Sequence, residues 1–346
     1  MTPLGYIRAA AASRAVRRLV IAVAALVAAD RFEPALLRSL EEARYEDRAR
    51  YFRFENSDLF ALGPLVAYLR EHPRGRQPRV LFFGNSIIHG YFLGAEDAIP
   101  GRYQRLGTSA KVFNAGINGS ETASAFLIAK AVIDSVDLVY VQLRRGDAGA
   151  NPILPRLIPI EDADLAQFHL TAPNEAERML SRAVNHWRLY RDAYRLQAAL
   201  FGTSTREHIY QHKGALVRGL IARLRAAQMD SAPSPGTVTI DAPVSAAVPD
   251  ARRQAQRREQ NPQLWQFADL FMNRRKQAVF LYFPGYSEGL PDDAIGDFNR
   301  VCAPYARVLV LHVPAESTVD AVHLTSVGAA QLARALWNAR PEDHHR

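Results

Sequence analysis

Three residues in this sequence have the types and settings that nucleophilic catalysis requires. Ser86 follows Gly84 and Asn85 directly after a run of apolar residues, so it stands where a buried strand gives way to a loop. Asp320 and His323 are three residues apart, just before an apolar helical stretch. A serine hydroxyl is a poor nucleophile until a base lies within reach, and a carboxylate on the second ring nitrogen of a histidine fixes its tautomer. The Asp-x-x-His spacing lets one tight loop form that pair, while the serine must come from elsewhere in the fold.

Five short apolar runs are the elements that must position these residues. Each is rich in Val, Leu and Phe and lacks polar alternation, which is typical of strands covered on both faces. Helical stretches separate the early runs, and this order predicts a three-layer α/β/α fold with a central, mostly parallel sheet. Reactive groups in such sheets lie outside the carboxyl ends of the strands. The predicted strands cover residues 79–84, 110–116, 136–143, 278–284 and 306–313.

The rest of the chain is predicted to surround this sheet. Residues 33–78 form a helical lead-in, and residues 79–150 and 277–340 form the α/β core. Residues 151–276 contain amphipathic helical patterns and a Pro/Ser/Ala-rich loop, so we expect a mainly helical insertion that caps the active edge of the sheet.

Three blocks of this sequence resemble those of the SGNH (GDSL-like) serine hydrolase and acyltransferase superfamily. Gly84-Asn85-Ser86 is similar to the Gly-Asp-Ser that follows the first strand in that family. Residues 114–119, Asn-Ala-Gly-Ile-Asn-Gly, are similar to its second block, and Asp320 and His323, followed by Leu-Thr, to its final Asp-x-x-His. The match covers residues 79–147 and 278–338. The resemblance implies a flavodoxin-like SGNH fold with Ser86 as nucleophile, His323 as its base and Asp320 as the residue that orients the base.

The resemblance also implies an oxyanion hole built from the backbone N–H groups of Ser86 and Gly119. The third block departs from the family's Gly-x-Asn-Asp, because Gly146 stands where the Asn would supply a further donor. Losing one such donor can cost about a hundred- to a thousand-fold in turnover. Asn118, Arg144 and Arg145 are the alternatives that could replace it; otherwise the site is catalytically weak. Variant third blocks of this kind resemble membrane-anchored SGNH-like proteins that work in polysaccharide O-acetylation or lipoteichoic-acid D-alanylation.

The N-terminal segment has a cationic stretch followed by eleven uncharged residues, 19–29. As a helix these would span about 16 Å, which is well short of the ~30 Å hydrocarbon core of a bilayer. The pattern is typical of a secretory signal with a small-residue cleavage site at residues 27–29, and arginine snorkelling could instead extend it into an uncleaved anchor. A helix packed on the domain is the third alternative. We expect residues 1–32 to be a signal peptide or N-terminal membrane anchor and the protein to be periplasmic or extracytoplasmic, with the inner membrane as the anchoring site.

Composition and single residues narrow the classes of partner. The 346 residues carry a net charge of +8, but no RNA-binding or zinc-finger motif accompanies the basic side chains, so nucleic acid is not expected as a partner. Cys302 is the single cysteine, and its apolar surroundings indicate a buried, inert thiol. His208 and His212 have a metal-compatible spacing, but they lack an intervening glutamate and a third ligand, so neither a metal nor a cofactor is expected. His89 is expected to be a pocket-wall or solvent residue.

The sequence therefore predicts a serine esterase or O-acyltransferase that acts on O-acyl, mainly acetyl, esters through an acyl-enzyme on Ser86. Its expected partners are an ester-bearing small molecule or glycan and a membrane acyltransferase. The alternative is an SGNH-like protein with little or no turnover that binds carbohydrate or assists polysaccharide assembly. Trp187, Trp265, Tyr190 and Tyr194 would then form a sugar platform, although they are most simply core residues of helices. A nucleotide-binding α/β protein ranks last, because no phosphate-loop fingerprint follows the first strand.

Overall fold

The structure is a computed structural model. The residues that it describes are 14–45, 52–53, 62–71, 77–90, 93–107, 109–117, 120–143, 150–152, 154–158, 160–193, 196, 200, 236–284, 290–320 and 322–341. The chain divides into two compact units, of which the first combines Met1–Glu46 with Asn174–Ser204 and the second combines Asp47–Pro173 with Thr205–Arg346.

The second unit is built on one sheet, which has seven strands in the described part of the chain. The strand order is β1-β3-β2-β4-β6-β7-β5, and every neighbouring pair is parallel except β5 with β7. The predicted mostly parallel α/β sheet is thus confirmed. The strands are β1 (Phe52–Arg53), β2 (Arg79–Gly84), β3 (Lys111–Gly116), β4 (Leu138–Gln142), β5 (Thr239–Asp241), β6 (Gln277–Tyr282) and β7 (Ala306–His312).

Helices lie on both faces of this sheet, as an α/β sheet without polar alternation requires. The described α-helices are α1 (Arg14–Tyr45), α2 (Leu62–Glu71), α3 (Ser86–His89), α4 (Ile99–Arg105), α5 (Thr122–Val132), α6 (Leu154–Leu157), α7 (Asp162–Gln167), α8 (Glu175–His186), α9 (Arg188–Arg191), α10 (Ala251–Gln260), α11 (Pro262–Asn273), α12 (Asp292–Cys302) and α13 (Ser326–Asn338).

Aromatic side chains of two different strands show what covers each face of the sheet; the distances given are between ring centroids. Phe82 of β2 stacks on Tyr140 at 4.5 Å and meets the edge of Tyr103 on α4 at 5.4 Å, so it faces the layer of α4 and α13. Phe280 of β6 contacts Phe267 on α11 at 5.6 Å and Phe298 on α12 at 5.7 Å, on the other face. The three layers of the predicted architecture are therefore present.

The order of the five central strands fixes where a site can form. Along the chain β2, β3, β4, β6 and β7 follow one another, and in space they lie in the order second, first, third, fourth, fifth. The chain direction across the sheet reverses between β2 and β4, and ligands in such sheets bind outside the carboxyl ends of the strands at that switch point. The carboxyl end of β2 is where Ser86 follows.

The described elements outside the predicted strands are divided between the two units. A single helix, α1, runs through the boundary predicted at residue 32. Within the predicted insertion 151–276, β5 and α10–α11 belong to the sheet's own unit, whereas α8 and α9 belong to the first unit with α1. That the insertion caps the active edge stays a prediction. No helix in the described part of the chain combines the length and apolar character that a membrane crossing requires.

Candidate active site

The side chains of Ser86, His323 and Asp320 form one continuous hydrogen-bonded chain. Ser86 Oγ lies 2.9 Å from His323 Nε2, and His323 Nδ1 lies 2.8 Å from Asp320 Oδ2. An ionised carboxylate only accepts hydrogen bonds, so the Nδ1–H of His323 donates to Asp320. Its Nε2 is then left with a lone pair that accepts the hydroxyl proton of Ser86. The three residues singled out from the sequence are therefore brought together in the arrangement of a nucleophile, a base and a carboxylate that orients the base.

The turn before Ser86 is fixed by hydrogen bonds on both sides of Asn85. The Asn85 side chain accepts from the backbone N–H of Ile87 at 2.9 Å and so caps α3. The Asn85 backbone N–H donates to Gln142 Oε1 at 3.1 Å, which ties the turn to the end of the neighbouring strand β4. Gln142 is 5% exposed, so its side chain is a buried polar group with a defined partner. Ser86 itself is 8% exposed at the rim of the sheet.

Asn114 and His89 tie the other end of α3 to the end of β3. Asn114 is 1% exposed; its Nδ2 donates to the carbonyls of Ile88 at 3.2 Å and His89 at 3.4 Å, and its Oδ1 accepts from the N–H of Gly116 at 2.9 Å. His89 is 3% exposed and its Nδ1–H donates to the carbonyl of Gly116 at 2.9 Å. A Cβ on Gly116 would lie 2.5 Å from the backbone nitrogen of His89, so only glycine permits this close approach. The alternative that His89 is a solvent residue is wrong, because its ring is buried in this contact; that it forms a pocket wall stays a prediction.

The loop that carries Asp320 and His323 is closed on itself before α13. Val319 N–H donates to the carbonyl of His323 at 2.6 Å, and Asp320 Oδ1 accepts from the backbone N–H of His323 at 2.8 Å. Thr325 then caps α13 by accepting from the N–H of Gly328 at 3.0 Å, and its own N–H donates to the carbonyl of Ser317 at 2.9 Å. The Asp-x-x-His spacing thus produces a rigid pair locally, as the sequence predicts.

Hydrogen bonds from His323 favour the charged form of Asp320. Burial alone would raise the pKa of the Asp320 carboxyl, but the hydrogen bonds from the backbone and ring of His323 lower it below its ordinary value. The side chain of Asp320 is 45% exposed and that of His323 18% exposed, so the relay runs from water at Asp320 to a nearly buried hydroxyl at Ser86. This arrangement can take the hydroxyl proton of Ser86 onto Nε2 while Asp320 stabilises the imidazolium that forms.

Several predicted site residues fall outside the described residues. These are the oxyanion-hole candidates Gly119, Asn118, Arg144 and Arg145, together with Gly146, so their roles stay predictions. The backbone N–H of Ser86 is described: it is the first residue of α3 and has no carbonyl partner within its own helix. Because α3 has only four residues, this single N–H, rather than a helix dipole, is what α3 offers to a developing negative charge.

The remaining sequence candidates differ in how deeply they are buried. Cys302 is fully buried on α12, and burial raises the pKa of its thiol to about 12, which confirms the inert thiol expected from the sequence. Trp265 is 3% exposed and belongs to the core, but Trp187 is 49% and Tyr190 63% exposed, so the expectation that these two are core residues is wrong.

The described residues contain no set of side chains that could bind a metal ion. Within the described ranges no three His, Cys, Asp or Glu side chains cluster in a way that could hold a metal ion. His208 and His212, the pair with a metal-compatible spacing, and Tyr194 lie outside those ranges.

The amino-acid pattern points less clearly to Gln142, Asn114 and His89 than to the relay itself. Gln142 is the one polar residue in the buried stretch of β4, and a lone polar side chain at the end of an apolar strand is the signal that points to a buried hydrogen-bond partner. Asn114 belongs to the second block, but nothing in the sequence shows that its side chain binds α3.

Comparison with known proteins gives limited similarity. No protein-family model and no curated protein matches the chain. Among solved structures, the chain is similar to AlinE4, described as an SGNH-hydrolase family esterase, at 20% identity and a TM-score of 0.19, covering 47% of this chain and 100% of that chain. Two variants of the same esterase match at 20% and 19% identity with the same coverage and TM-score. A similarity this low carries no further conclusion about the site.

The hydrogen bond from Nδ1 predicts the tautomer of His323. In the neutral imidazole of the wild-type protein the proton resides on Nδ1, because Asp320 Oδ2 can only accept it. Asp320→Asn removes this preference, and we expect the Nε2–H tautomer to become the major form. Nitrogen chemical shifts of the His323 ring measure this. Asp241→Asn is the matched control, since Asp241 pairs with His312 at 3.2 Å, and it should leave His323 unchanged.

Asp320 should also contribute to stability in a pH-dependent way. Its pKa is lowered in the folded protein, so its contribution is present above the pKa of an unfolded aspartate, about 3.9, and is lost as the pH falls through the folded value. Because the carboxyl is partly exposed, we expect Asp320→Asn to cost at most about 1 kcal/mol at neutral pH. The difference in free energy of unfolding from the wild type, followed by urea titration, should shrink below about pH 4. A difference that grows on acidification would contradict the assignment.

The ties to α3 predict that Asn114 controls the reactivity of Ser86. Asn299 offers a matched control, because its buried amide also donates to two carbonyls, those of Pro243 and Val308, and accepts from one N–H, that of Val308. Asn114→Ser and Asn299→Ser should each lower the free energy of unfolding by about 1–3 kcal/mol. Only Asn114→Ser should slow the labelling of Ser86 by a fluorophosphonate, by about tenfold or more, because a small displacement of the nucleophile is costly. Equal slowing in both variants would reduce Asn114 to a purely structural residue.

Proposed function

We propose that the protein is a serine hydrolase that cleaves esters through an acyl-enzyme on Ser86. The single observation that carries this proposal is the pair of hydrogen bonds of 2.9 and 2.8 Å that links Ser86 Oγ, the His323 ring and Asp320. A serine hydroxyl at the rim of a sheet has no structural need of an imidazole with a carboxylate behind it. The same arrangement supplies the base that a serine nucleophile requires.

The reaction follows from the positions of the protons. Ser86 Oγ attacks the ester carbonyl while its proton passes to Nε2 of His323, and a tetrahedral oxyanion forms near the N–H of Ser86. The C–O bond to the alcohol breaks, and the imidazolium returns its proton to the departing oxygen. The acyl group then resides on Ser86. A second hydroxyl compound, deprotonated by His323, attacks the acyl carbonyl and restores the serine.

The acceptor in the second step decides between hydrolysis and transfer. Water gives an esterase, and a glycan hydroxyl gives an O-acyltransferase. We include both in the proposal, with acetyl esters of a glycan as the substrate class and a membrane acyltransferase as the partner that supplies acyl groups. The support for this finer part is the resemblance of the three sequence blocks, together with the variant third block at Gly146. The cationic-then-apolar order of the N-terminal residues supports an extracytoplasmic place of work.

Replacing Ser86 tests the proposal directly. Ser86→Ala should abolish hydrolysis of a small acetyl ester and remove fluorophosphonate labelling, because no nucleophile remains at the relay. Ser245→Ala is the control: Ser245 is another serine whose hydroxyl is hydrogen-bonded to a side chain, Asp297 at 2.7 Å, but without an imidazole. This variant should retain labelling and hydrolysis within about twofold, since removing one hydrogen bond to a buried carboxylate costs about 1.5–3 kcal/mol of stability but takes no group from the relay.

The same assay separates the alternative from the proposal. Unchanged hydrolysis in Ser86→Ala would remove Ser86 from the mechanism. Glycan binding by the wild-type protein, together with no ester turnover and no labelling of an intact Ser86, would favour the carbohydrate-binding alternative.

A further inference from the structure

Helix α1 carries an apolar segment, residues 19–29, that the structure leaves uncovered. Every residue from 17 to 29 is exposed, including Leu19 at 64%, Val23 at 50% and Leu26 at 49%. With about 100° per residue, the bulky side chains of Leu19, Val20, Val23, Leu26 and Val27 share one side of the helix, within an arc of about 120°. The apolar segment therefore has a bulky face, formed by these five residues, and an opposite side made of alanines and Ile21, which is 68% exposed.

The same side of α1 is covered further along the helix. The helical repeat places Asp30 and Leu37 in line with the bulky face. Leu37 is 2% exposed, and Asp30 Oδ1 accepts from the backbone N–H of Leu189 on α9 at 3.0 Å. One side of α1 is thus packed against the protein around Asp30 and Leu37. The bulky face continues that side toward the N-terminus, where its residues are exposed.

Charge and aromatic groups at the two ends indicate what covers the bulky face. Arg17 and Arg18 are exposed and, by the helical repeat, point to the side opposite the bulky face. Trp187 and Tyr190, the exposed neighbours of Leu189, lie at the other end with their rings stacked at 6.3 Å. When the apolar face of a helix is buried in the acyl region of a bilayer, arginines on its other side contact anionic headgroups. Trp and Tyr are enriched at the membrane–water interface. The order of basic, apolar and aromatic groups along α1 and α9 matches the layers of an anionic lipid surface.

We propose that the apolar segment of α1 lies along an anionic lipid surface, with its bulky face in the acyl boundary. Arg17 and Arg18 contact lipid phosphates, and the Trp187–Tyr190 pair sits at headgroup depth. The bulky residues supply apolar burial, and the two arginines that precede them supply attraction to anionic headgroups; these are the two terms that bind a helix at a lipid surface. The proposal is independent of the chemistry at Ser86, so Ser86→Ala should bind vesicles as the wild type does.

Vesicle flotation with the full chain tests whether the bulky face of α1 is the side that contacts lipid. We expect binding to phosphatidylcholine vesicles that contain about one third phosphatidylglycerol, and much weaker binding to phosphatidylcholine alone. Leu26→Glu should reduce binding tenfold or more, because it places a charge in the acyl boundary. Leu36→Glu is the matched control: Leu36 is 53% exposed on the same helix, but on the opposite side, and its variant should bind like the wild type. Equal loss in both variants would overturn the proposed orientation.

Two further measurements distinguish a lipid surface from the other partners that could cover the bulky face, namely a second copy of the chain or a carbohydrate. Lipids brominated near the headgroup should quench the fluorescence of Trp187, and Trp187→Phe should remove that quenching while Trp337→Phe, in the second unit, does not. The double variant Arg17→Gln with Arg18→Gln should weaken binding roughly tenfold or more, at about fivefold per arginine. No binding to anionic vesicles would overturn the proposal. So would a dimer in sedimentation that Leu26→Glu dissociates without vesicles, or a response of Trp187 to a soluble oligosaccharide in place of lipid.

Discussion

The hydrogen bond between Ser86 and His323 joins two residues that are 237 positions apart, and the rest of the site exists to keep its atoms 2.9 Å from each other. A bond of this kind contributes only ~1 kcal/mol, so it cannot hold two chain segments in place by itself. Each partner must be positioned independently. The parallel sheet does this by bringing the end of β2 and the loop after β7 to one edge, and local caps then fix the side chains.

Buried polar side chains do the final positioning of Ser86. Gln142 holds the N-terminal side of the turn through the Asn85 N–H, and Asn114 and His89 hold the C-terminal end of α3 against Gly116. Each group is hydrogen-bonded, as a buried polar atom must be if it is not to cost about 1–3 kcal/mol. The side chains that position Ser86 are therefore all hydrogen-bonded. Asp320, the outermost residue of the relay, is partly exposed to water, and the hydrogen bonds that it accepts stabilise its charge.

The sequence predicted what short-range patterns encode. Apolar runs gave the central strands to within a few residues, since burial on both faces leaves a continuous signal, and three-residue spacing gave the Asp320–His323 pair. Strand β5 was not foreseen: Thr239–Asp241 is a short antiparallel edge strand with exposed ends and no apolar run. The exposure of Trp187 was missed because an aromatic residue in a helical pattern indicates only that the side chain packs on something apolar. That apolar contact can lie in the protein core or on its surface. The contact of Ser86 with His323 came from a resemblance, because no spacing encodes it.

The most direct test of the account is to trap the acyl-enzyme. Wild-type protein is mixed with an activated acetyl ester, quenched in acid during turnover, digested and examined by mass spectrometry. The account predicts one acetyl group on the peptide that contains Ser86, and no accumulation on any other serine. Ester hydrolysis that proceeds with the acetyl group on a different residue, or with Ser86 never acylated, would contradict it.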